Sequence, residues 1–226
     1  MSSAKLLDME RIGPLVHRAA HRGALLLIAS AVVYLGGIGI SASVLSRFSP
    51  NVTTLAELGT HSVSSLSYAF VAAGTLAGLL GFVGALGIWT AFPARSTRTI
   101  GLVALEVGFV GQMASSLSGG VGWARNPIAQ DAFLVVFYGA ISVSMLILAL
   151  AMLRDPRWGG FRLYTMISGF VSLAGTILTA RGGAGPLSTG GAEWIAIAPW
   201  LAWLIGVGVH LLRFRVYSPT ISAGAA

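Results

Sequence analysis

Seven carboxylates and four histidines carry most of the chemistry open to this 226-residue chain, which has no cysteine. Three carboxylates share linkers with an arginine: Arg47 with Glu57, Arg125 with Asp131, and Arg181 with Glu193. Such groups near helix ends form either an ion-pair network tying the loops together or a polar pocket for a lipid headgroup or small solute. His61 belongs to the first of these linkers. Glu106 and His210 stand apart, each inside an apolar run. His17 and His21 are four residues apart, so on a helix they share a face, and solvated interfacial histidines are the expected reading. A three-histidine zinc site needs ligands at one depth, and only the inner group of His17, His21 and His210 could supply them, which disfavours an intramembrane metallohydrolase. No phosphate-cradling loop, HExxH, nucleophile elbow or dinucleotide fingerprint occurs. No metal site or cofactor is therefore expected.

The elements that position these groups are apolar. The chain is 55% hydrophobic and 9% charged, with mean hydropathy +0.83. A soluble domain carries about 25% charged residues. So few charges cannot cover a water-facing surface, and lipid must cover much of it. Six apolar segments follow a basic N-terminus, at 23–46, 64–91, 99–118, 131–153, 161–181 and 192–213. Each is long enough to cross a hydrocarbon core of ~30 Å. The short linkers contain Pro93, Pro127, Pro156 and Pro186 and leave no room for another domain. The expectation is an all-α polytopic bundle of six transmembrane helices. A basic segment at 1–22 precedes the membrane domain at 23–213, and a tail at 214–226 follows it.

Arginine placement sets the expected orientation. With the N-terminus inside, eleven of the fourteen basic residues lie on the inner side and only Arg47, Arg125 and Arg181 on the outer. This positive-inside bias predicts cytoplasmic termini and a multi-pass protein of the cell membrane. The net charge of +7 is therefore read as orientation, with the bilayer and not nucleic acid as partner. Other membrane subunits and lipid headgroups are the further partners considered.

Glu106 falls about 10 Å below the inner surface, a depth at which a charge must be neutral, paired or wet. Its own face carries Leu102, Phe109 and Met113, so a partner must come from elsewhere, and His210 lies at comparable depth. Farther along, Gln112, Ser115 and Ser116 make the outer half of the same helix polar on another side. The second segment carries Gly74, Gly78, Gly81, Gly84 and Gly87, a face suited to close packing within the bundle.

Glu193 opens the last segment, where the helix dipole favours a carboxylate. Glu57 has no comparable local reason for its place. It is expected to meet Arg125 or Arg181 across the loops, with His61 nearby.

Three stretches resemble the archaeal and bacterial membrane family named domain of unknown function 998. One is Ser49-Pro50 followed by Leu55-Ala56-Glu57-Leu58-Gly59, similar to that family's Ser-Pro turn and Ser-Glu-Leu-Gly run. Another is the number and spacing of helices. The last is Gly191-Ala192-Glu193-Trp194-Ile195 with Pro199, Trp200 and Trp203, similar to the family's Gly-x-x-Glu-Arg-Ile opening of the final helix. Trp194 replaces the family's arginine, and the stretch from Gly119 to Gln130 lacks its histidine. The resemblance implies a fold and no defined activity.

The residues admit three kinds of function. A non-enzymatic structural or accessory subunit of a membrane complex fits the short loops and missing motifs best. A small-solute transporter or channel would call for broken helices or inverted halves. A lipid-modifying enzyme would call for two outer carboxylates in one cleft.

Overall fold

In a bilayer every backbone polar group must be satisfied within the protein, and a helix does this within one segment. The computed structural model describes residues 3–59, 66–92, 96–120, 127–153, 155–184 and 187–213. Seven α-helices are described: α1 (Ser3–Ser43), α2 (Leu55–Leu58), α3 (Ser67–Ile88), α4 (Ser96–Gly120), α5 (Pro127–Met152), α6 (Phe161–Ala180) and α7 (Thr189–Arg213). All but α2 are long and apolar enough to span a membrane. A two-residue antiparallel ladder, β1 (Gly183–Ala184) with β2 (Leu187–Ser188), closes the last turn before α7. The predicted segments agree with the spans to within a few residues.

The spans form a ring. α1 packs on α3, α3 on α4, α4 on α5, α5 on α6, α6 on α7, and α7 closes on α1. Six crossings put the start of α1 and the end of α7 at one end of the ring, and α2 and the β1–β2 turn at the other. The outward faces carry Leu25, Val32, Leu79, Val83, Val103, Val110, Ile167 and Phe170, all exposed on the protein and suited to lipid. The axis is filled by Trp200 of α7. Its ring meets Tyr34 of α1 at 6.4 Å, Phe109 of α4 at 5.9 Å and Phe137 of α5 at 5.1 Å.

The glycines of α3 serve this chain's own packing. A Cβ at Gly74 would strike Ser116, one at Gly78 Met113, and one at Gly81 the ring of Phe109. Lower down the helix, Gly87 lies against Gly23 of α1, where a Cβ would come within 2.7 Å of the Gly23 Cα. Small residues here let two backbones touch.

Hydroxyl groups join the helices between the apolar layers. Ser30 of α1 donates to the Ala77 carbonyl of α3 at 2.7 Å, and Ser144 of α5 to the Gly101 carbonyl of α4 at 2.8 Å. Trp203 donates through Nε1 to Thr165 Oγ1 at 3.0 Å. Ser172 of α6 sits 2.9 Å from Ser142 of α5 and donates to the Ala196 carbonyl of α7. That contact falls just before Pro199, where the helix loses one internal bond. Ser172→Ala should lower stability by about 0.6 kcal/mol, and at most about 1.7 kcal/mol, in a reversible unfolding titration in mixed micelles. No change in that titration would mean the bond contributes nothing.

At the end holding the termini, Asp155 caps the 3₁₀ turn Pro156–Trp158 and binds Arg157 through both carboxylate oxygens. The guanidinium holds the Asp155 carboxyl below its ordinary range. A depressed carboxylate stabilises the fold above its unfolded value near 4 and loses that contribution as pH falls further. Arg157 is half exposed, so the effect is small.

Candidate functional site

The polar residues gather at the α2 end of the ring. Thr54 N-caps α2, and with Glu57 it forms a capping box: Glu57 N donates to Thr54 Oγ1 at 3.2 Å, and Thr54 N donates to Glu57 Oε2 at 2.8 Å. This corrects the expectation that Glu57 has no local reason for its place. Its carboxylate is exposed and satisfies an orphan N–H at a helix start. Leu55 and Leu58 point from α2 into the ring and are fully buried.

Glu193 also differs from its expected role. α7 begins four residues earlier, at Thr189, so Glu193 does not cap its own helix. It is buried, and its Oε2 accepts the Leu55 N–H at the start of α2. The loop ahead of α2 is fixed to α7 as well. Gly191 N donates to the Asn51 carbonyl at 3.2 Å, and Gly190 lies so close to Thr53 that a Cβ would reach its carbonyl oxygen at 2.8 Å. Gln130 of α5 donates to the Ala56 carbonyl at 3.4 Å from the other side. α2 is thus a short cover held over the mouth of the ring by α5 and α7.

A chamber of ≈ 10 Å³ lies under this cover. Its wall includes Tyr34, Phe70, Gln112, Ser115, Ser116 and Gln130. Gln112 is buried; its Nε2 donates to the Gly74 carbonyl at 3.3 Å, and its Oε1 has no donor among the described residues. The Gly74 partner is an acceptor, so this contact fixes which amide atom is nitrogen. Ser115 Oγ donates to the Gln130 carbonyl at 3.4 Å.

The remaining predicted residues fall around this centre or away from it. Asp131 is exposed in the first turn and a half of α5, and Asp131 and Glu57 both lie within electrostatic reach of Glu193. Arg181 is exposed just past α6, and no ion pair joins it to Glu57 among the described residues. Arg125 and His61 lie outside the described residues. The carboxylates thus come together without the expected arginine lock from Arg181.

Glu106 and His210 do not meet. His210 stacks on Phe161 at 4.8 Å and on Trp158 at 5.0 Å, at the end holding the termini. Glu106 sits on the seam of α4 between buried Phe109 and exposed Val103, and neither carboxylate oxygen has a hydrogen-bond partner among the described residues. Glu106→Gln should therefore shift the unfolding midpoint by the equivalent of less than about 1 kcal/mol, because no bond is lost. Glu106→Lys should impose about 3 kcal/mol of insertion penalty and cut membrane yield. A lysine variant that accumulates and melts like the parent would show that the position is open to water.

Among the described residues, no three His, Asp or Glu side chains gather where a metal ion could be held. Sequence reading picked out Gln112, Ser115 and Ser116 as a polar side of α4 but missed Gln130 and Tyr34. Gln130 lies three residues after Pro127, the proline that starts α5, and reads as loop. A tyrosine in an apolar run reads as core, and here it is core and chamber wall together. No family model matches this chain, and neither a curated protein nor a solved structure does.

Proposed function

We propose that this chain is a non-enzymatic structural or accessory subunit of a membrane complex, of the domain of unknown function 998 type, with both termini in the cytoplasm. The observation that carries this reading is how the carboxylates at the α2 end are used. Glu57 completes a capping box, and Glu193 holds Leu55. A lipid-modifying enzyme would present two such groups in one cleft as acid and base. Here Glu57 faces away from a chamber too small for a headgroup. A transporter is disfavoured by Trp200, whose ring blocks the axis against three neighbouring helices.

Native co-purification tests the reading. Tagged protein extracted in mild detergent should bring down at least one membrane partner at constant stoichiometry. Recovery as a lone chain at its own mass would overturn it. Orientation is tested separately, because the chain has no cysteine. Ser2→Cys should react with an impermeant maleimide only after the cells are opened.

A further inference from the structure

The end of the ring that holds the termini carries positive charge with little to offset it. Among the described side chains it presents Arg18, Arg22, Arg98, Arg157, Arg162 and Arg213 against one carboxylate, Asp155, which Arg157 already binds. Three of the other arginines are used within the protein. Arg98 donates to the Phe92 carbonyl at 3.4 Å and lies over the Trp89 ring, and Arg162 donates to the Leu153 carbonyl at 3.0 Å. Arg213 sits in the last turn of α7, where the helix dipole favours a cation. Arg18 and Arg22 have no such use. Both are exposed, and at four residues apart on α1 they repel one another on one face. Neither forms an ion pair among the described residues, and no Asp or Glu stands three or four positions from either.

Next to this pair the surface turns apolar. Leu25 and Val32 of α1 are exposed, as are Leu79, Val83 and Leu86 of α3. The two helices touch at Gly23 and Gly87, directly beside Arg22 and Leu86. α3 contributes no Asp or Glu to the seam. Two positive charges at the rim of an apolar strip complement a molecule with an anionic head and apolar chains. A free phosphate would meet the charges and gain nothing from the strip.

We propose that Arg18 and Arg22 bind the phosphate headgroup of an anionic phospholipid whose chains lie along the seam of α1 and α3. Guanidinium groups match phosphate oxygens in paired hydrogen bonds, and a phosphate between the two arginines offsets their repulsion. The site is open on the lipid-facing surface and needs no movement of the bundle. It does not rest on the accessory-subunit reading and stands if that reading fails.

The chain has no cysteine, so a fluorophore on Leu86→Cys reports on this seam alone. The labelled full chain is reconstituted in mixed phosphatidylcholine and phosphatidylglycerol, with brominated quencher chains on one lipid and then on the other. Brominated phosphatidylglycerol should quench in excess of its share of the bilayer, by about fivefold in relative affinity. Arg18→Gln/Arg22→Gln should remove that preference. Each single change should lower it partway and carries the test where the double variant does not fold. Arg162→Gln/Arg213→Gln removes as much charge from the same end and should keep the preference. Excess inorganic phosphate should leave the quenching unchanged. The proposal is overturned by equal quenching from the two lipids, or by a preference that survives loss of both Arg18 and Arg22. Equal loss in the two double variants would also overturn it, since the cause would then be the diffuse field of the whole end. Displacement by inorganic phosphate would overturn the phospholipid as occupant.

Discussion

Replacing Glu193 by alanine is expected to free α2 from the ring while the six spans stay in place. The Glu193 carboxylate is buried and accepts the Leu55 N–H, an orphan donor at the first turn of a helix. Removing it leaves that N–H buried without a partner, at a cost of about 1–3 kcal/mol. α2 has four residues and cannot hold itself together, so the loss falls on its docking. The spans keep their own packing, including the Trp200 core. Ala56→Cys in this cysteine-free chain reads the effect. Its maleimide reactivity should rise at least tenfold in the Glu193→Ala background. Glu193→Gln keeps an accepting oxygen and should stay near the parent. If Glu193→Ala leaves the reactivity of Ala56→Cys unchanged, α2 is held by its leucines and not by the carboxylate.

A second large effect is expected at the crossing of α1 and α3. Gly23→Leu should abolish the folded bundle, while Gly36→Leu on the same helix should be tolerated. A Cβ at Gly23 would lie 2.7 Å from the Gly84 carbonyl oxygen and 2.8 Å from the Gly87 carbonyl carbon. These are backbone atoms and cannot turn aside as a side chain can. The helices must separate, which strains the packing by about 3 kcal/mol or more. Gly36 has nothing within 4 Å and faces outward. Helix propensity and hydrophobicity change equally in the two variants, so the difference isolates the contact. The readout is the monodisperse fraction after extraction and the melting midpoint of what remains. Equal behaviour of the two variants would mean that the crossing is looser than described.

Much of this architecture is legible in the chain because lipid makes strong demands on composition. A span needs an uninterrupted apolar run, and the six runs announce themselves. The glycine face of α3 also reads correctly, since small residues at helical spacing have few other uses in a membrane. The roles of individual carboxylates are harder to read. Thr54-x-x-Glu57 is a capping-box pattern, but α2 is so short that no hydrophobic period marks it as a helix. Glu193 looked like a cap for α7 because the helix start was placed three residues late. Its true partner, Leu55, is 138 positions away, and nothing local points to that pairing. His210 was paired with Glu106 on depth alone, whereas the angular position of each side chain around its helix decides the contact. Gln112 shows the opposite case, a polar residue whose mid-helix setting signals a buried role before any partner is known.

The closure of the ring by α7 also dictates an order of assembly. The five spans synthesised first form an open arc, with one side of α1 and one side of α6 still lacking a protein neighbour. Until the last span arrives, Ser172 has no Ala196 carbonyl to bind and Tyr34, Phe109 and Phe137 surround an unfilled axis. α2 likewise lacks the carboxylate that holds its first turn. One late helix therefore fills the axis, completes the wall and fastens the cover. A ribosome that stalls before Thr189 leaves behind an arc that is inserted but unsealed, a natural substrate for membrane quality control.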